Sequence, residues 1–406
     1  MEKIQVKTSN IADSLHGRLA TLYAVMGIAF AGYNGYTVMF MMSKGLNSSQ
    51  IGTVMAINSL VAIVSQFFWG MLSDKIGSLR KVFSFAAIAT MISMVVMLQN
   101  DTVLGVKILI PTITFFISTQ CPMVDSYTID AIKGSNLVYS SIRVWMSAFY
   151  GMMSFVVGKI VLMTQVSVVY PIYMIFIAVS IIMIFRLPSE DGRGRASVGY
   201  DLKGVLANKQ YMIFVLVSLG MFIPLHSTGV FLPLLIKSFN GSDDLMGIVG
   251  MLSASLEIPV FLNMKKIFRR FQPKFIIALS VVIMIIKQFL LCIVNAPALL
   301  IAAQAVGGPA YALFLTGSLY YIDSISKDGT KITAQTMAVA IYGGLGGMIA
   351  SYGGGILITY TSIKFMYWVG LVISIAVSLF FFYELIFVSD GGKDKSLKEK
   401  LLKMEE

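Results

Sequence analysis

Hydrophobic and polar positions alternate along this chain in long blocks, and not residue by residue. Apolar runs of twenty or more positions are separated by short polar links such as "SKGLNSSQ", "SDKIGSLRK" and "RRFQPK". A helix needs about 20 mostly apolar residues to cross the hydrocarbon core of a bilayer. A membrane barrel would show alternation over about ten positions instead. The runs are continuous, so they predict helices. They fall near 18–43, 49–73, 79–99, 104–130, 139–164, 167–187, 209–238, 243–267, 274–294, 296–326, 331–359 and 362–388. The fold class expected is therefore an all-α membrane protein with twelve transmembrane helices. The first run outlasts a signal-peptide core and no small-residue cleavage pattern follows it, so it reads as a retained span.

Composition agrees with lipid as the solvent. The 406 residues are 57% hydrophobic and only 13% charged, against roughly 25% charged in soluble domains. The net charge of +11 could suggest nucleic acid, but the positions of the cations exclude that. With the N-terminus inside, the inner connections hold Lys75, Arg80, Lys81, Lys133, Arg186, Arg193, Arg195, Lys203, Lys209, Lys265, Lys266, Arg269, Arg270, Lys274, Lys327 and Lys331. The outer ones hold Lys44, Lys107, Lys237 and Lys364. This bias is the positive-inside pattern. It predicts both termini in the cytoplasm, a multi-pass plasma-membrane protein, and an attraction to anionic lipid. Cys121 and Cys292 lie within apolar runs, with no disulfide framework or metal spacing. No metal or cofactor is expected. Enzyme motifs such as H-E-x-x-H, G-x-S-x-G or a P-loop are missing from the sequence.

The longest polar stretch, "RLPSEDGRGRASVGYDLKGVLANKQ", divides the chain. The expected organisation is a six-helix bundle at 1–187, a cytoplasmic loop at 188–208, a second six-helix bundle at 209–390 and a charged tail at 391–406. "KGLNSSQIG" and "KSFNGSDDLMG" echo each other at the link between first and second spans of each half. Duplicated halves with a midplane site between them are a common transporter layout.

"GMLSDKIGSLRK" carries Gly70, Asp74, Lys75, Gly77, Arg80 and Lys81. This segment resembles the loop 2–3 signature of the major facilitator superfamily, with one residue more before Arg80. "SQFFWGMLSDKIG" is similar to the lactose permease group of oligosaccharide/proton symporters and its phenylpropionate and nucleoside relatives. The resemblance implies two six-helix halves, alternating access, and a latch at this loop in which Asp74 pairs with nearby helix ends or basic groups.

Ionisable groups inside spans mark either function or a structural pair. Asp125 in span four and Arg143 in span five match the carboxylate and arginine that hold sugar in the permease group. Tyr150 falls near that group's stacking tryptophan. A structural ion pair is the other reading of Asp125 and Arg143. Glu257 in span eight and Lys287 in span nine form a candidate proton-coupling pair, or a pair that only ties helices together. In span ten the permease group's Lys, His and Glu are replaced: Gln304, Gly307 and Ala310 stand near them. Coupling would then rest on Glu257 or Asp125, or the protein would be a uniporter. His226 between Pro224 and Pro233 is a candidate solute contact or a histidine satisfied by a neighbouring backbone group, and Asn34 with Tyr33 and Tyr36 is a candidate solute patch or ordinary helix packing with interfacial tyrosines. Gly343, Gly347, Ser351 and Gly355 give span eleven a small-residue face for close helix packing. Span five has Ser147 with Gly151, and Ser154 with Gly158.

The expected function is proton symport of a small polar solute such as a sugar, glycoside or nucleoside, by a monomer. Its partners would be that solute, the proton and membrane lipid. Drug/proton antiport is the alternative within transport, and a non-transporting receptor is the alternative outside it.

Overall fold

The computed structural model describes residues 2–132, 137, 139–187, 202–326 and 330–383. Most of the central loop (188–201), the tail from 384 onward and the side chain of Asp74 lie outside the described residues. Within them, twelve helices are long and apolar enough to cross a membrane. Spans one to six are Leu15–Ser43, Ser48–Ser73, Leu79–Leu98, Val103–Ala131, Ser141–Met163 and Val166–Phe185. Spans seven to twelve are Lys209–Ser238, Leu245–Met264, Pro273–Cys292, Pro297–Ile325, Ala334–Tyr360 and Ile363–Tyr383. The chain is thus an all-α, multi-pass membrane protein. The helix of span one starts earlier than the apolar pattern predicts, at Glu2.

Local chemistry sets the helix ends. Asn47 and Gln50 form a reciprocal capping box at the start of span two. Span two runs on to Ile76, and Gly77 ends it at φ 68°, its N–H bonding to Ser73. A side chain there would be strained, so the second glycine of the loop signature is a helix stop. Beyond it, the Arg80 guanidinium lies 6.0 Å from the Tyr127 ring centroid in span four.

The sequence echo between the halves has a structural counterpart in a shifted register. Gly45 N–H donates to Met42 and Leu46 N–H to Met41. Asn240 N–H donates to Lys237 and Gly241 N–H to Ile236, the same two offsets. Gly45 and Asn240 both take positive φ, at 82° and 55°. Asn47, the sequence counterpart of Asn240, is instead the cap of the next helix.

Span four differs from its expected single helix. It breaks between Ile117 and Gln120. Pro122 explains the break: its ring clashes with the carbonyl four residues back, at Ser118. The carbonyl of Phe115 then accepts from Trp69 Nε1 at 3.0 Å and from Ser65 Oγ at 2.5 Å. Span two thereby satisfies an acceptor that the interrupted helix exposes.

The chain divides into two compact units, Met1–Ala196 with Ser242–Ala254, and Ser197–Gly241 with Ser255–Glu406. Span eight is therefore shared at Ala254. The first unit has an aromatic interior in which Phe30 packs edge-on to Tyr173 and Phe40 edge-on to Tyr170. Tyr173 donates to Gln120, and Gln120 to Thr90, a buried polar chain through spans six, four and three. In the second unit, Phe214, Phe222, Phe314 and Tyr342 pack together from spans seven, ten and eleven.

Also within the first unit, span five meets the start of span eight through small residues. A Cβ on Gly158 would lie 3.0 Å from Gly247 Cα, and one on Gly250 would lie 3.1 Å from Ser154 Cβ. At the end of this seam Lys159 Nζ bonds Asp244 at 2.5 Å, and Ser242 donates to the same carboxylate. These two bonds, Lys159 first, hold the Asp244 carboxyl below its ordinary pKa. A depressed carboxylate stabilises the fold above its unfolded pKa, about 3.9, and loses that contribution as pH falls through the folded value. Lys159 is half exposed, so the gain is at most about 1 kcal/mol. The expected result is a lower unfolding temperature for Asp244→Asn than for the wild type at pH 6, with the gap closing below about pH 4.

Candidate functional site

Asp125 sits in the short helix after the break in span four, and Arg143 near the start of span five. The fold brings them together, with Arg143 Nε 3.5 Å from Asp125 Oδ1. Each side chain is about a third exposed, at 33% and 28%. Tyr23 of span one completes the cluster. Its hydroxyl donates to Asp125 Oδ1 at 2.7 Å, and its ring lies 5.7 Å from the guanidinium carbon. Tyr139 and Cys121 lie near both charges. The long Nε contact leaves much of the guanidinium fork unengaged by the carboxylate. A fork of donors beside a carboxylate acceptor suits a polyhydroxylated solute.

Tyr23 is a site residue that the sequence reading does not find. It lies in an ordinary apolar run, and tyrosine is a common residue in this chain, with 18 copies. Only its helical neighbourhood with Asp125 singles it out. Tyr150 packs close to span one, where a Cβ on Gly27 would lie 3.1 Å from the Tyr150 amide nitrogen.

The polar-aromatic patch of span one divides. Tyr33 is buried against Tyr170 and Tyr173, whereas Asn34 is exposed. Tyr36 is buried beside Gly158. Tyr33 thus belongs to the aromatic interior, and Asn34 alone of the three reaches the surface.

In the second unit Glu257 and Lys287 face each other closely enough to interact electrostatically, without closing into an ion pair. Lys287 runs across the bare surface of Gly307. A Cβ at Gly307 would lie 2.6 Å from Lys287 Cδ and 2.7 Å from Nζ. Gly307, where the permease group has a larger polar residue, is thus the floor over which the ammonium passes. Gln304, one turn earlier, is buried. The His226 ring packs 5.6 Å from Phe222, and its Nε2 is buried with no hydrogen-bond partner. Buried polar atoms are usually hydrogen-bonded, so His226 Nε2, like the Tyr33 and Tyr36 hydroxyls, keeps unused bonding capacity among the described residues.

In span eleven, Gly347, Ser351 and Gly355 are buried and Gly343 is half-buried. The span packs on span seven through Gly346 against Leu219 and Gly354 against Phe231. Gly343 lies in a π-helical turn, Ala340–Leu345, within this span. At the loop signature Gly70 has open space around it, and Lys75 and Lys81 are exposed. Among the described residues no group of three or more His, Cys, Asp or Glu is placed to hold a metal.

Several known proteins share this architecture. The nucleoside transporter NupG is 17% identical and superposes with a TM-score of 0.81, covering 92% of this chain and 99% of its own. A D-xylose-proton symporter is 14% identical with a TM-score of 0.67, covering 90% and 97%. In sequence, the uncharacterized transporter YwbF of Bacillus subtilis (strain 168) is 27% identical over 348 residues, 82% of this chain and 83% of that one. Maltose permease of Geobacillus stearothermophilus is 22% identical over 329 residues, 79% and 82%. The sequence signature of the MFS_1 like family matches residues 16–369. Twelve spans, the loop 2–3 motif and this match together make the chain a member of the MFS_1 like family, a major facilitator superfamily transporter and not an enzyme.

Proposed function

We propose that this transporter carries a small polar solute, a sugar, glycoside or nucleoside, together with a proton. The observation that carries the reading is the Tyr23–Asp125–Arg143 cluster. Charges at membrane depth are costly and are kept where they face a cavity or each other. Here a carboxylate, a guanidinium and a phenol gather with donor capacity left over. The similar proteins transport nucleoside, xylose with a proton, and maltose, which suits a solute rich in hydroxyls.

In this reading the halves 1–187 and 209–390 alternate access, with the solute on Asp125 and Arg143 beside Tyr150 and Asn34 in the first half, while His226 and Gln304 are solute contacts offered by the second half. Glu257 takes the proton, and Lys287 favours its release. The 70–81 loop acts as the latch, and the small face of span eleven as a sliding surface. Both termini lie in the cytoplasm, in the plasma membrane, and the chain works as a monomer.

The test is transport by the purified protein in proteoliposomes, with radiolabelled maltose, xylose and uridine. An imposed inward proton gradient should drive accumulation of one of them above equilibrium. Extrusion would identify an antiporter, equilibration without accumulation a uniporter, and no flux a receptor. Glu257→Gln should then abolish gradient-driven accumulation and leave solute exchange within about twofold of wild type. Accumulation that persists in this variant, with proton uptake still accompanying the solute, would remove Glu257 from the coupling role.

A further inference from the structure

The inner end of spans eight and nine carries a feature that transport of a solute does not use. From Ile258 to Ile322 the chain contains no acid, yet Lys265, Lys266, Arg269, Arg270 and Lys274 fall within ten positions of it. The helix of span eight continues to Arg270. Leu262, Lys266 and Arg270 recur every four residues, so they lie one above another on a single helix face. All three are exposed, Leu262 at 72%. Arg269 and Lys274 are engaged by other groups, Lys274 over the Tyr321 ring. Lys266 and Arg270 have no hydrogen bond or ion pair among the described residues.

The apolar surface next to these cations is built for acyl chains. Phe271 and Phe275 stack with centroids 5.1 Å apart, and the Arg270 guanidinium lies 5.8 Å from the Phe271 ring. From Phe275 an exposed stripe continues along span nine through Leu279, Val282 and Ile286. It heads into the depth of the membrane directly from the charged end. Among the described residues, two cations without an ion pair sit above a continuous apolar track.

We infer that Lys266 and Arg270 bind the phosphate of an anionic phospholipid whose chains lie along Phe275, Leu279 and Val282. A uniformly basic loop would attract any anion. A track of exposed apolar side chains leading away from the cations selects an anion that carries its own hydrocarbon. The charge complementarity fixes the headgroup as anionic, and the geometry places it at the ends of spans eight and nine.

The test uses the full-length protein in detergent, titrated with phosphatidylglycerol or phosphatidylcholine and read by native mass spectrometry and unfolding temperature. Each cation near a membrane surface contributes about fivefold to anionic-lipid affinity. Lys266→Gln with Arg270→Gln should therefore weaken phosphatidylglycerol binding by roughly 25-fold. The pair Arg186→Gln and Lys209→Gln, which removes the same charge elsewhere, should leave it unchanged. Phe275→Ser should weaken binding of the same lipid with the cations intact. An equal loss in the control pair would reduce the effect to general attraction and overturn the site. So would equal affinity for the two lipids in the wild type. Inorganic phosphate that protects the protein as well as the lipid does would also overturn it, since the apolar track would then have no part.

Discussion

Gly247→Leu is expected to reduce transport to background while the chain still inserts and folds. The reason is the seam inside the first unit. A Cβ on Gly247 would collide with the Ser154 carbonyl and lie 2.9 Å from Gly158 Cα. Both neighbours are backbone, which cannot rotate away as a side chain can. The only relief is to part spans five and eight. Their end is also tied by Lys159 and Asp244, so parting them breaks that ion pair as well. Membrane helices gain their close contacts by packing of small residues, so a branched side chain removes the contact entirely. Any conformation that needs the two spans together becomes inaccessible, and a transport cycle with one state missing does not turn over. Gly353→Leu is the control, because a Cβ there meets nothing within 4 Å. Uptake and surface expression of both variants decide the matter. Transport in Gly247→Leu above half of wild type would show that the seam is not part of the cycle.

Arg143→Gln should lower uptake by roughly 30- to 150-fold, the effect of losing hydrogen bonds from a charged donor worth about 2–3 kcal/mol. The substitution also leaves Asp125 with Tyr23 as its remaining strong partner. This gives two explanations for one loss, and a double variant separates them. If the pair only ties spans four and five together, Asp125→Asn in the Arg143→Gln background removes the stranded charge and should restore both insertion and uptake. If the pair holds the solute, insertion recovers and uptake does not. The solute reading expects the second result, with binding of solute to the double variant at least 30-fold weaker, as measured by its effect on unfolding temperature.

Much of the architecture is legible because the bilayer leaves few choices. Every span is helical, and its length follows from hydrocarbon thickness. Asp125, Arg143, Glu257 and Lys287 stand out for the same reason: charge inside an apolar run is rare enough to notice. Tyr23 does not stand out, since a phenol is at home in a span and its role depends on Asp125 facing it from another helix. The break in span four shows a different limit. Pro122 is visible in the chain, but the capture of the Phe115 carbonyl by Ser65 and Trp69 is a tertiary event. The pairing of Gly158 with Gly247 is similar. The small residues of span five are readable, whereas Gly247 and Gly250, the residues of span eight that meet them, are not, because small-residue faces name no partner residue. Tyr33 and Asn34 are adjacent in sequence, yet successive helical positions point about 100° apart, and the fold buries one and exposes the other.

The π-helical turn at Ala340–Leu345 adds one residue to a turn of span eleven. Such an insertion is a dislocation in an otherwise regular lattice of hydrogen bonds. It moves along the helix by exchanging one carbonyl acceptor for the next, so its displacement leaves the number of bonds unchanged. Each step turns the segment it passes by about 100°. Tyr342 rides on this turn with its ring centroid 4.4 Å from that of Phe222, and Gly343 and Gly344 within it offer no side chain to resist rewinding. Span eleven therefore carries Tyr342 on a turn wound differently from the helix on either side of it, with two glycines beside it that put no side chain in the way of a change in that winding.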